Sequence, residues 1–226
     1  MNTSNAMKAY KKQNELSLIT KLYRSNKKIT LQERILLFNK NLNNYNYGMI
    51  IDGKVYIGYD LDFTKYKTIP PEDFEKHKTG VCWDYVEYEA YYFSNELEMR
   101  LTKYKLKEDK SYSMYYMQHI DRDGDMPTHT WLGYRLDSKI YSFESSWRSI
   151  QGVKEHKTEK DMVKYYLQEQ VKYQESHNNP LGNYVVLKYS QMPKYNLTPE
   201  EYMNIVLDRG FVIDSTIKEF PVTVKL

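Results

Sequence analysis

The chain has 226 residues, of which 41% are hydrophobic and 28% charged, and its formal net charge is only +3. This balance excludes a chain that is disordered throughout, and no apolar run approaches the roughly 18 residues that a membrane-spanning helix needs. The sequence also lacks an apolar secretory segment near its first residue, so we expect a cytoplasmic protein that does not associate with membranes.

Charge distribution and cysteine content narrow the function further. Residues 1–65 carry 11 Lys and Arg against 5 Asp and Glu, whereas the remainder is mildly acidic. Because Lys-rich helix faces are usually just solvated, a nucleic-acid partner is not favoured.

Cys82 is the only cysteine, which excludes an internal disulfide. Its thiol is therefore either a small buried apolar group or a reactive one.

Hydrophobic periodicity and turn residues predict an α+β fold. The predicted elements are, in chain order, helices 14–23 and 31–42, a hairpin within 50–59, a short helix 70–78, a helix from Cys82 to Leu97, strands 111–120, 128–136 and 139–147, a helix 158–173, a strand 183–189, a helix 199–208 and a strand 211–220.

This order predicts a core with additions at both ends. Residues 1–65 are expected to form a helical leader with a short hairpin, and residues 66–150 a catalytic core. Residues 151–226 are expected to form a C-terminal α/β extension that packs on the same domain.

The cysteine lies at the predicted start of a helix. Unpaired N–H groups and the positive end of the helix dipole stabilise a thiolate at such a position. Gly80 leaves room for a substrate backbone to approach, and Trp83 supplies an aromatic wall. A cysteine that merely fills the apolar stripe of a helix is the alternative, but its place at the helix start disfavours that interpretation.

A predicted hairpin supplies a base and a carboxylate. If Asp137 and Ser138 form the turn, counting outward along the two strands places His129 and Glu144 on the same face as diagonal neighbours. A thiol, an imidazole and a carboxylate that orients the imidazole are the groups that covalent acyl transfer needs.

Other candidate sites are less well supported. His119 also lies in a predicted strand, but no carboxylate follows it at a hairpin distance. Asp121, Asp123 and Asp125 are spaced like calcium ligands, yet the glycine of that segment falls at the wrong place and the closing Glu is missing. The remaining histidines lack metal-ligand spacing, so neither a metal nor a cofactor is expected.

The segment Gly80-Val81-Cys82-Trp83-Asp84-Tyr85 resembles the cysteine motif of the transglutaminase-like superfamily, which is related to papain. Thr128-His129-Thr130-Trp131 resembles its histidine strand, and Glu144 follows where that superfamily places its third member, usually Asp. The resemblance covers about residues 70–147. It implies a core in which a helix carrying the cysteine packs on an antiparallel sheet, with catalytic Cys82, His129 and Glu144 and with Gly80, Trp83 and Trp131 near the substrate.

Two functional classes follow. The first is a cysteine peptidase, amidase or protein-glutamine acyltransferase that acts on a protein or peptide through a thioester. The second is a transglutaminase-like fold without turnover that binds a protein or a nucleic acid through its tyrosine-rich surface. Sequence alone does not separate hydrolysis from transfer to an amine.

Overall fold

Helices and sheets are both present in the described chain, in agreement with the predicted α+β class. The structure is a computed structural model that describes residues 30–58, 61–92, 112–120, 128–136, 138–178, 181–190 and 192–216. The predicted helix 14–23 and the aspartate-rich turn at 121–125 lie outside the described residues. Two compact units are distinguished, Met1–Phe38 and Asn39–Leu226. The predicted boundaries after residues 65 and 150 stay predictions.

The described elements comprise five helices and nine strands. In chain order they are α1 Leu31–Leu42, β1 Asn46–Ile51, β2 Lys54–Ile57, α2 Pro71–His77, β3 Thr79–Gly80, α3 over residues 82–92, β4 Tyr112–Ile120, β5 Thr128–Leu136, β6 Lys139–Glu144, β7 Gly152–His156, α4 Glu159–Ser176, β8 Asn183–Tyr189, α5 Pro199–Arg209 and β9 Phe211–Ser215. Two 3-10 turns, Phe63–Lys65 and Arg148–Ile150, complete the set.

The strands form two sheets. A small sheet has the order β2-β1-β3, and its β1–β3 pair is parallel. The larger sheet has six antiparallel strands in the order β7-β6-β5-β4-β8-β9. Strands β7, β8 and β9 all come from the predicted C-terminal extension, so that extension belongs to the same sheet as β5 and β6.

The described core of the larger sheet is aromatic and lies against α4. Trp131 on β5 stacks on Tyr166 of α4 with ring centroids 3.9 Å apart, and on Tyr115 of β4 at 5.4 Å. Gly133 is needed beside them, because a Cβ atom at that position would lie 2.5 Å from the Tyr115 ring. Thr158 caps the N-terminus of α4, because its hydroxyl accepts a hydrogen bond from the N–H of Asp161.

Several predicted elements match the structure closely. Helix 31–42 and strands 128–136 and 183–189 have the predicted bounds. The predicted strand 139–147 ends at Glu144, because the next residues turn to donate hydrogen bonds to its side chain. Strands β3 and β7 were not predicted. No helix of the described residues is long and apolar enough to cross a membrane.

Candidate active site

Helix α3 carries the thiol in its first turn. It begins at Cys82, and a single residue, Val81, separates it from β3. The pairing of β3 with β1 places Asn46 beside Thr79 and Tyr47 beside Gly80. The first N–H groups of a helix have no partner within the helix, and together with the helix dipole they favour negative charge. The predicted position of Cys82 at a helix start is confirmed, and its side chain is 5% exposed.

The buried carboxyl group of Asp84 fixes the turn that leads into α3. One oxygen accepts hydrogen bonds from the Tyr66 hydroxyl at 2.9 Å and from the N–H of Ile69 at 3.0 Å, and the other accepts from the N–H of Val81 at 3.0 Å. Burial raises the pKa of Asp84 to about 7, although these three donors oppose the rise. Asp84 therefore ties the residue before Cys82 to a separate segment of chain.

Gly80 is required by packing within the protein. A Cβ atom at this position would lie 2.7 Å from the Phe74 ring and 2.7 Å from the Cβ of Asp84. Any side chain here would push the start of α3 away from α2. The predicted contact of Gly80 with a substrate stays a prediction, while its buried position gives an independent reason for glycine.

The hairpin of β5 and β6 brings His129 and Glu144 together. The predicted register is confirmed, since Leu136 pairs with Lys139 and Leu132 with Phe143. The Nε2 atom of His129 lies 2.8 Å from Oε2 of Glu144, and the two side chains are 11% and 3% exposed. Because Nε2 is occupied by this contact, Nδ1 is the nitrogen left to face Cys82.

Every polar atom of the Glu144 side chain is engaged. Its Oε1 atom accepts hydrogen bonds from the N–H of Ser146 at 2.9 Å, from the Ser146 hydroxyl at 2.9 Å and from the N–H of Trp147 at 2.8 Å. The amide of Asn39 donates to the Glu144 carbonyl at 3.0 Å and to the Ser145 hydroxyl at 3.2 Å. These bonds hold the buried carboxylate in the orientation that faces His129.

His129 interacts electrostatically with both Glu144 and Cys82. Burial lowers the pKa of His129, but the negative charge of Glu144 and hydrogen bonds to Cys82 and Glu144 outweigh it and raise the pKa from 6.5 to about 10. The imidazole therefore carries its proton at neutral pH, between a carboxylate and a thiol. We refer to Cys82, His129 and Glu144 as the candidate triad.

Aromatic rings surround the imidazole. The Trp147 ring lies edge-to-face with His129 at 5.0 Å, whereas the rings of Tyr166 and Trp131 lie nearly parallel to it at 6.2 and 6.4 Å. These rings replace water around the His129–Glu144 pair, and removal of water strengthens the interaction between its charges. Sequence analysis missed Trp147 and Tyr166.

The two predicted substrate-binding tryptophans are core residues in this structure. Trp83 is 5% exposed and stacks on Tyr202 of α5 at 4.5 Å, while Trp131 is completely buried. Each ring ties an element of the candidate triad to the rest of the fold, Trp83 through α3 and Trp131 through β5. Their predicted contact with a substrate stays a prediction.

A buried chain of hydroxyl groups runs beside the residues of the candidate triad. The Thr130 hydroxyl donates to the Tyr115 carbonyl at 2.5 Å, and it also contacts the Tyr189 hydroxyl at 2.8 Å, which contacts Tyr202 at 2.6 Å. A carbonyl only accepts, so the single Thr130 proton is used there. Tyr189 must then donate to Thr130, and Tyr202 to Tyr189. This chain fixes β5, β8 and α5 relative to one another, next to His129.

Three carboxyl groups are buried along α3, and sequence analysis did not single them out. Asp84, Glu87 and Glu89 are each at most 2% exposed. The pKa of Glu87 is raised by burial to about 8, and that of Glu89 is raised well above its usual value by burial and by the charge of Glu144. A recognisable signal existed, because Glu89 lies seven residues after Cys82 and therefore on the same face of the helix.

Other classes of site find little support. Among the described residues, no group of three or more His, Cys, Asp or Glu side chains is placed to hold a metal ion.

No protein-family model matches the chain, and no curated protein is significantly similar to it. The functional argument consequently depends on the geometry of the site.

Proposed function

We propose that this chain is a transglutaminase-like cysteine enzyme that transfers or hydrolyses the acyl group of a protein or peptide amide. The observation that carries the proposal is the 2.8 Å contact between His129 and Glu144, together with the electrostatic interaction of the same imidazole with Cys82, which lies at a helix start. These are the nucleophile, the base and the orienting group of covalent acyl transfer.

The charged imidazole is the group that activates the thiol. His129 holds its proton at neutral pH, and a positive charge beside a cysteine favours the thiolate, which is the nucleophilic form. The helix start adds further stabilisation of the negative charge. Glu144 lies on the side of the imidazolium away from Cys82, where its charge balances that of His129 and keeps the ring aligned.

The reaction proceeds in two halves. The Cys82 thiolate attacks the amide carbonyl, forming a C–S bond, and N–H groups at the start of α3 stabilise the oxyanion. Collapse of this intermediate breaks the C–N bond, and His129 gives its proton to the departing amine. Water or a second amine then attacks the thioester and gives a proton to His129, and the thiolate leaves.

Glu in place of Asp is compatible with this scheme. The longer side chain reaches His129 with one oxygen while its other oxygen accepts three hydrogen bonds from Ser146 and Trp147. Hydrogen bonds to both oxygens fix the carboxylate, and a fixed carboxylate holds the imidazole in one orientation. Glu144 can therefore orient His129 as the usual Asp would.

Selective alkylation tests the proposal. The full chain is treated with iodoacetamide at mildly acidic pH, and labelling is followed by mass spectrometry with Cys82→Ala as the control. We expect Cys82 to react at least about tenfold faster than glutathione, because only the thiolate attacks. A rate equal to that of glutathione would contradict the enzyme proposal and favour a binding protein without turnover.

Turnover is then measured with carbobenzoxy-glutaminyl-glycine. Formation of a hydroxamate in the presence of hydroxylamine indicates transfer to an amine, whereas ammonia release without an acceptor indicates hydrolysis. Both signals must vanish in Cys82→Ala.

A further inference from the structure

A row of aromatic side chains leads from the candidate triad to the surface. The rings of His129 and Trp147 lie 5.0 Å apart, those of Trp147 and Tyr173 5.8 Å, and those of Tyr173 and His177 4.3 Å. Trp147 follows β6, while Tyr173 and His177 belong to the last turn and the C-cap of α4. We call Trp147, Tyr173 and His177 the aromatic row.

The row becomes more exposed with distance from His129. Trp147 is partly buried, Tyr173 is 45% exposed, and His177 is exposed. Large apolar side chains that remain accessible next to a reactive group commonly form part of a binding surface. The two ring-to-ring steps place Tyr173 at most about 11 Å from His129, which is the length of about three extended residues.

Hydrogen bonds anchor both ends of the row. The backbone N–H of Trp147 donates to Oε1 of Glu144 at 2.8 Å, so the carboxylate that faces His129 also fixes the backbone from which this ring projects. At the outer end, Nδ1 of His177 lies 2.7 Å from the Tyr173 carbonyl. Tyrosine and tryptophan side chains have only two side-chain torsions, so they lose little conformational entropy when they contact a ligand.

Two charged side chains near Tyr173 are paired with each other. Beside Tyr173, the ammonium group of Lys172 pairs with Glu169 at 2.7 Å, so these opposite charges largely cancel. A flat aromatic or large aliphatic group would gain edge or face contacts with Trp147 and Tyr173. The row starts at His129, the group that protonates the departing amine, and therefore lies on the amine side of the scissile bond.

We propose that the aromatic row is a subsite for an aromatic or large apolar side chain on the amine side of the substrate amide. This inference rests on the proposed function. Since an incoming amine enters where the first amine departs, the same subsite would also select the acceptor in a transfer reaction.

The experiment compares two probes that label Cys82. Iodoacetamide and N-benzyl-2-iodoacetamide are reacted with the full chain, and the ratio of their rate constants is divided by the same ratio for glutathione. We expect a normalised preference for the benzyl probe of about three- to tenfold, the range that one aromatic contact supplies. Tyr173→Ala should abolish most of this preference, while Tyr173→Phe should retain it.

Matched controls separate the possible outcomes. Tyr56 on β2 is 46% exposed, almost the same as Tyr173, so Tyr56→Ala should leave the preference unchanged. Circular dichroism establishes that each variant is folded, and Tyr173→Leu preserves apolar surface if the alanine variant is not. Fast labelling without a benzyl preference, or a preference that survives in Tyr173→Ala, would overturn the subsite alone. Slow labelling of Cys82 by both probes would overturn the proposed function and the subsite together.

Discussion

Two buried glutamates in this molecule occupy contrasting environments. Glu144 accepts four hydrogen bonds through its side chain, from His129, Ser146 and Trp147, and faces a protonated imidazole. Glu89, on α3, accepts no well-aligned hydrogen bond within the described residues, and its polar neighbour Ser145 opposes the rise of its pKa only weakly. The pKa of Glu89 is raised well above its usual value, first by burial and then by the charge of Glu144.

The contrast teaches that donors decide whether a buried carboxyl carries charge. The carboxyl groups of α3 form a series. Three donors accompany a pKa of about 7 at Asp84, whereas the N–H of Met192 and a smaller interaction with the Tyr202 side chain accompany a pKa of about 8 at Glu87. Glu89 has the fewest donors, and its pKa is raised well above its usual value, which favours the neutral carboxylic acid. Hydrogen-bond donors are thus concentrated at Glu144, the carboxylate that faces the imidazolium.

The largest expected effect comes from removing the Glu144 charge. Glu144→Gln keeps the size of the side chain but deprives the imidazolium of its counter-ion, so turnover should fall by roughly two to four powers of ten. The pKa of His129 should move down from about 10, because the Glu144 charge is the main cause of its rise. Hydroxamate formation measures the first effect, and NMR titration of His129 measures the second.

Near-normal turnover of Glu144→Gln, in a protein with unchanged thermal stability, would show that another residue orients His129. Cys82→Ala supplies the zero of the activity scale.

Glu87→Gln tests the neutral side of the comparison through stability. The pKa of Glu87 is raised from 4.5 to about 8 in the folded protein, so the folded state holds a proton that the unfolded chain has lost. The stability associated with this proton is fully present below the unfolded pKa and is lost as pH rises through about 8, at up to about 1.4 kcal/mol per pH unit. Urea unfolding between pH 4 and 9 should therefore show a shallower decline for Glu87→Gln than for the wild type. Parallel declines would mean that Glu87 is ionised in the folded protein.

Ser146→Ala removes one donor from Glu144. A hydrogen bond to a charged group contributes about 1.5 to 3 kcal/mol, so the free energy of unfolding should fall by a similar amount at neutral pH. The loss should disappear in a Glu144→Gln background, because the charge that strengthens the bond is gone. A double-mutant cycle by urea unfolding measures this coupling, and additive losses would contradict it.

Glu89→Gln should have the smallest effect. If Glu89 is already neutral, an isosteric amide changes little, and Cys82 alkylation at neutral pH should stay within about threefold of the wild type. This variant is the matched control for Glu144→Gln, since the same substitution is made at two buried glutamates. A loss of alkylation rate as large as that of Glu144→Gln in the same assay would place a second negative charge in the site.

The hairpin and its pair of polar residues were predictable because their signals are local. Side chains alternate along a strand, so a turn at Ser138 is enough to place His129 and Glu144 on one face. The start of α3 was predictable for a similar reason, since the apolar stripe begins at Cys82. Local patterns of this kind can be recognised in the sequence without knowledge of the rest of the fold.

The groups that complete the site come from distant parts of the chain. Asn39 reaches the Glu144 carbonyl across 105 residues, and Tyr202 stacks on Trp83 from α5. Such contacts leave no periodic pattern in the sequence. Strand β3 has only two residues, too short for an alternation to be recognised, and β7 was missed although it closes one end of the larger sheet.

The order of strands in the larger sheet also bears on how the chain emerges from the ribosome. Strands β4, β5 and β6 are neighbours both in sequence and in the sheet, whereas the other edge of β4 is covered by β8, which pairs Asn183 with Ile120 and Tyr189 with Met114. Cys82, His129 and Glu144 are therefore all synthesised while one backbone edge of β4 still awaits its partner. An uncovered strand edge is a template for intermolecular pairing. A nascent chain that stalls before residue 183 should aggregate even though it already contains the entire candidate triad.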